Sequence, residues 1–133
     1  MFTHTFQDTI YGRRVELCVG TAQEFNAHMK VIGSKERVAT DDLGGMRTVM
    51  LPSKTHPQLK AKTFFIWLIA FNGSPDAIGT LVHECYHATA AIMDHQGVTE
   101  EVEGSEARAY YLNALVVQFL TALEGRKNET ASS

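Results

Sequence analysis

The chain has 133 residues, 44% of them hydrophobic and 20% charged, with a formal net charge of −3. That is apolar material for one packed domain and too little length for two; the slight acidity, without a long basic run, argues against a nucleic-acid groove or an anionic-membrane footprint. Two cysteines in unrelated apolar segments, Cys18 and Cys85, exclude a disulfide framework and suit reduced thiols.

In chain order, Met1-Phe2-Thr3-His4 has neither the basic nor the apolar stretch of an export signal. Tyr11 to Val19 alternates charged and apolar residues around Val15, Leu17 and Val19, as a half-buried strand does. Thr21-Ala22-Gln23-Glu24 has capping-box spacing and opens a helix with Phe25, His28, Met29 and Ile32 along one side, ending near Gly33; His28 reads as helix surface. Ser34 to Gly45 is a polar loop with room for a short strand at Arg37 to Ala39. Met46 to Leu51 reads as a strand stopped by Pro52, Ser53 to Lys62 as a basic connection, and Thr63 to Phe71 as a strong aromatic and β-branched strand. Its apolar run, Phe64 to Phe71, is far too short to span a bilayer, so a soluble cytoplasmic protein is expected, with neither membrane nor nucleic acid as partner.

After the Asn72-Gly73 turn, Ser74-Pro75-Asp76 supplies an N-cap, a proline at the first helical position and a first-turn acid, and Gly97 supplies the stop. On this helix Ile78, Leu81, Val82, Cys85, Ala88, Ile92 and Met93 share one broad side, which marks the core face and makes Cys85 a buried apolar residue. His83, His87, Thr80, Ala91 and Asp94 fall on the other side, with Glu84 at its margin. The run His83-Glu84-Cys85-Tyr86-His87 therefore carries the chemistry. Residues four apart on a helix are separated by about 40°, so both imidazoles can reach one cation. Glu84, about 100° from His83, is too far round to be the natural third ligand but is placed to take a proton from a metal-activated water. Asp94 returns to nearly the angle of His87, as a hydrogen-bond partner for a ligand imidazole or as a solvated helix-end acid.

A catalytic zinc keeps three protein ligands and an open position. The next segment, Gly97 to Gly104, is a polar connection in which Glu100 and Glu101 read as solvated acids. Ser105 then opens a helix, apolar nearly all round, that runs to Leu123 and should be buried between layers. Tyr110, Asn113 and Val117 follow Glu106 along one face. A carboxylate on a buried helix needs a partner, which a metal ion would supply; otherwise Glu106 is a first-turn acid complementing the helix dipole. Glu103 competes with it as the third ligand. Residues 1–124 make the domain, and 125–133 a polar tail expected to fray. Strands early and helices late indicate an α+β fold.

His83-Glu84-x-x-His87, followed nineteen residues later by Glu106 in an E-A-x-A-Y setting, resembles the gluzincin branch of the zincin metallopeptidases, and more closely the small zincin-like proteins of phages and prophages. The resemblance covers roughly Thr80 to Val117. It implies a short twisted sheet packed on the site helix and the next one, Zn2+ on His83, His87 and Glu106, and Glu84 as general base. It also implies that the strand before the site helix, Thr63 to Phe71, edges the cleft and pairs with an extended peptide, unless the Ser53 to Lys62 loop covers it. No third His of the metzincin type follows His87, and Tyr110 or Tyr111 is the candidate to stabilise a transition state. Three functions fit these residues: a zinc metallopeptidase acting on a peptide or protein substrate, a non-catalytic zincin-like metal-binding protein that engages a host or phage protein, or a metal-free interaction domain in which the His-Glu-x-x-His run is an accident. Neither the substrate nor the oligomeric state is encoded legibly.

Overall fold

A computed structural model describes residues 1–52, 60–99 and 101–132, without the side chains of Glu103 and of 127–132. Four strands and three helices follow in the order β1 (Phe2–Gln7), β2 (Arg14–Val19), α1 (Ala22–Val31), β3 (Gly44–Pro52), β4 (Lys60–Leu68), α2 (Pro75–His95) and α3 (Val102–Ser132). The strands form one mixed, open sheet in the order β1-β2-β4-β3, with β2 and β4 parallel and the two outer pairs antiparallel. The class is α+β, as expected.

Both faces of the sheet are covered. Val15, Leu17 and Val19 of β2 and Phe64, Ile66 and Leu68 of β4 pack with Leu81, Cys85, Ala88, Ile92 and Met93 of α2 and Tyr111, Leu115, Phe119 and Leu123 of α3. Cys18, Phe65 and Trp67 point the other way, onto Ala22, Phe25 and Met29 of α1. The two central strands are thus buried on both sides, and β2 is not the half-buried strand its alternation suggests. Glu16, in a charged slot of that alternation, is only 8% exposed.

Capping fixes the helix positions. Thr21 and Glu24 make the reciprocal capping box on α1, and Ser74 accepts from the Ala77 amide at the head of α2, with Pro75 in its first turn. Gly97 closes α2 at φ 72°, a left-handed conformation that lets the Val98 amide reach back to the Met93 carbonyl at 2.9 Å.

Several expectations are corrected. Phe2–Gln7 is a strand whose register pairs Phe2 with Val19 and Gln7 with Arg14; its alternation of Phe2, His4 and Phe6 is masked because a histidine takes an apolar slot, packing edge-on to Phe119. No strand forms at Arg37 to Ala39. β4 begins at Lys60, ends at Leu68 and is paired on both sides, so it is not an edge; β3 is, with its outer side unpaired among the described residues. Residues 53–59, most of the loop expected as the alternative cover for the Thr63 to Phe71 strand, lie outside the described residues. α3 starts three residues before Ser105 and its backbone stays helical to Ser132, through the segment expected to fray. Nor is α3 buried all round, because Glu106, Tyr110, Asn113 and Val117 form an exposed face. The wheel grouped these four correctly; that face has no layer over it.

Candidate metal centre

Helix α2 leaves the sheet with its apolar stripe inward, although Ile78 and Val82 of the expected stripe stay partly exposed. The stripe fixes the opposite face, and His83 and His87 stand there in solvent, one helical turn apart. Their rings meet edge to face with centroids 4.6 Å apart, and the two Nε2 atoms are separated by 3.1 Å. Two nitrogens bound to one tetrahedral zinc stand about 3.3 Å apart. The 3.1 Å separation of the imidazole pair is close to that spacing.

Glu84 turns inward between the histidines and the sheet. It is 7% exposed, and its Oε1 lies 3.8 Å from His83 Nε2. Burial raises its carboxyl above the usual carboxylate range, and this outweighs the opposing charges of His83, His87 and Arg47, while Asp42 adds to the rise. A buried carboxyl of raised basicity beside an imidazole pair is the arrangement expected of a proton acceptor. Arg47, on β3, and Asp42, just before it, were invisible as site residues in the sequence, because only the pairing of β3 at the sheet edge brings their charges to α2.

The other expected residues are placed as follows. Glu106 is exposed on α3, makes no hydrogen bond or ion pair among the described residues, and does not join His83 and His87 in a set with all ligand atoms within 4.8 Å. The Glu103 side chain and Glu100 lie outside the described residues. Asp94 is the solvated helix-end acid of the two expected roles, its side chain 70% exposed near the end of α2, and its Oδ1 also accepts from Arg108 Nη2 at 2.8 Å and so ties α2 to α3. Tyr111 is buried, donates its hydroxyl to Asp8 Oδ2 at 2.8 Å, and is committed to the core; burial and the Asp8 carboxylate push its phenol upward. Tyr110 is 72% exposed. Both cysteines are free and buried, and burial pushes each thiol up to about 12.

Beside His87 lies a cleft between α2 and α3 of about 350 Å³, lined by Tyr86, Thr89, Ala90, Ser105, Arg108 and Leu112, among others. That volume is at the lower end for ligand pockets. Thr89 Oγ1 and Arg108 Nε, both on residues of this wall, have no hydrogen-bond partner among the described residues. Tyr86, an unspecified position of the His-Glu-x-x-His pattern, bridges the cleft and the imidazoles, its ring 6.0 Å from that of His87. Compared with known proteins, the chain matches no family model, no curated protein and no solved structure.

Proposed function

We propose that this protein is a zincin-like, zinc-dependent peptidase in which His83 and His87 hold the metal and Glu84 is the general base. The observation that carries the reading is the 3.1 Å separation of the two Nε2 atoms with a buried carboxyl directly beside them. Bound zinc would polarise a peptide carbonyl and acidify a water molecule. Glu84, desolvated and raised, takes the proton of the attacking water and returns it to the departing amine. His83 and His87 would hold the ion, each through Nε2. Glu106, exposed and without a partner among the described residues, is the proposed third ligand.

The substrate on this reading is an extended segment of peptide or protein. The unpaired side of β3 offers backbone groups to it, and the cleft between α2 and α3 offers a small apolar recess with two unpartnered polar atoms. We place the reaction in the cytoplasm, where two unpaired thiols stay reduced. Among the described residues, no helix is long and apolar enough to cross a membrane.

Zinc stoichiometry and hydrolysis of an unstructured protein substrate test the reading together. His87→Ala and Glu106→Ala are expected each to lose the metal held by the His83 and His87 pair. Glu84→Gln is expected to keep it and lose hydrolysis. One observation favours a second reading, a non-catalytic metal-binding protein that engages a host or phage protein: Glu106 is not gathered with the imidazoles. Wild-type protein that binds zinc at His83 and His87 yet cleaves none of a diverse peptide library would establish that second reading.

A further inference from the structure

On the opposite side of the sheet from His83 and His87, two residues of β2 and one of α1 converge. Among the described residues, Glu16, Cys18 and His28 are the one group of three His, Cys, Asp or Glu whose ligand atoms all lie within 4.8 Å of one another. We propose that they form a second metal site, selective for zinc or a similarly thiophilic divalent ion, that clips α1 onto β2.

Strand periodicity puts Glu16 and Cys18 on one face of β2, and the capping box at Thr21 sets the helix phase that brings His28 over them. Glu16 Oε1 lies 3.6 Å from His28 Nε2, within the roughly 3.2–3.6 Å expected between donors on one tetrahedral zinc. The two oxygens of Glu16 are divided: Oε2 accepts from Arg14 Nη2 at 3.3 Å, which orients the carboxylate and leaves Oε1 toward His28. The His28 ring is held against Phe65, centroids 6.3 Å apart.

The chemistry of the three donors selects the ion. A sulfur, an imidazole nitrogen and one carboxylate oxygen suit zinc and disfavour magnesium and calcium, which require oxygen donors. Binding releases the Cys18 thiol proton to solvent, and the thiolate and carboxylate then balance the two charges of the ion. A long ion pair is otherwise a weak reason to bury Glu16, since Arg14 reaches it only at 3.3 Å and Arg14 Nε is left without a partner among the described residues. Cys18 is fully buried and His28 partly exposed, so the ion enters from the α1 side and the sulfur is its innermost ligand.

Cobalt separates this site from the imidazole pair on α2, because only the Cys18 site supplies sulfur. Titrating cobalt into chelator-stripped full-length protein is expected to produce thiolate-to-cobalt charge-transfer absorption in the near ultraviolet. Cys18→Ser should abolish the band and Cys85→Ser should leave it. His83→Ala should leave it as well, so the result stands whatever the α2 pair binds. His28→Gln, at a partly exposed helix position, should weaken cobalt binding at this band at least about tenfold, since losing a ligand costs no less than losing a ligand's hydrogen-bond partner. Folded wild type saturated with cobalt but lacking the band overturns the proposal, as does a band that survives Cys18→Ser. If Cys18→Ser does not fold, His28→Gln decides alone: an undiminished band at unchanged cobalt concentration overturns it.

Discussion

Gly44, at the head of the edge strand β3, lies against Thr80 of helix α2 so closely that a Cβ on the glycine would stand 3.1 Å from Thr80 Cγ2 and 3.0 Å from the Trp67 carbonyl oxygen. This approach seats β3 beside the turn of α2 that precedes His83. Gly44→Ala is therefore expected to cost about 1–3 kcal/mol, the usual penalty for inserting a methyl group into a packed contact. Urea unfolding measures it. Thr80→Ser removes the opposing methyl and should recover part of the loss in a double-mutant cycle, while the clash with the Trp67 carbonyl persists. Strictly additive effects would mean that β3 and α2 do not share this contact.

Glu84→Gln is expected to lower turnover roughly 10²- to 10⁴-fold, the range for losing a general base, with bound zinc unchanged. A steady-state assay with metal analysis on the same samples checks it. Activity within a fewfold of wild type would remove Glu84 from the chemistry.

The same substitution has a pH signature in zinc-free protein. Burial raises the folded-state pKa of Glu84 above its unfolded value, so the folded state retains a proton that the unfolded chain has released. That contribution to stability is fully present below the ordinary carboxylate pKa and is lost as pH rises through the raised one. Glutamine loses nothing over this interval. Glu84→Gln should thus gain stability relative to wild type from about pH 4 upward and hold a constant advantage once Glu84 is ionised in both states. Parallel stability profiles for the two proteins would show that Glu84 does not titrate abnormally.

Tyr111→Phe removes the hydroxyl that joins α3 to Asp8, and leaves a buried carboxylate oxygen short of a donor. The expected cost is about 1–3 kcal/mol, as for other hydrogen bonds to a charged group, with metal binding at His83 and His87 unaltered. Loss of that metal binding without loss of stability would return Tyr111 to the functional site.

Cys18 and Cys85 should resist thiol-specific reagents in the native, metal-free protein at neutral pH, since burial holds both thiols protonated up to about 12. Both should react promptly in denaturant. Rapid labelling of either residue in the folded chain would indicate local opening of β2 or α2.

Much of the local structure was legible before any coordinates. The Thr21 and Glu24 box, the Ser74 cap with Pro75, and the Gly97 stop each depend on hydrogen bonds within a few residues, and each forms as read. The wheel of α2 likewise anticipated the burial of Cys85 and the outward face of the two histidines. What failed depended on distant partners. Periodicity groups residues on a face without saying which layer covers it, so Glu106, Tyr110, Asn113 and Val117 were grouped correctly and buried wrongly. Strand order is just as hidden, and β4 lies between β2 and β3 because of a parallel pairing across forty-odd intervening residues. The Glu16, Cys18 and His28 cluster needed both the two-sided burial of β2 and the docking of α1.

The bond between Asp8 and Tyr111 joins residues 103 positions apart, at the close of β1 and in α3. Asp8 also accepts from the amides of Gly12 and Arg13, so the turn leading into β2 and the last helix share one anchor. During synthesis that anchor stays incomplete until α3 has left the ribosome, while β1 waits without its clasp. Shortening α3 ahead of Tyr111 should therefore disturb the hairpin of β1 and β2 as well as the helix that was cut.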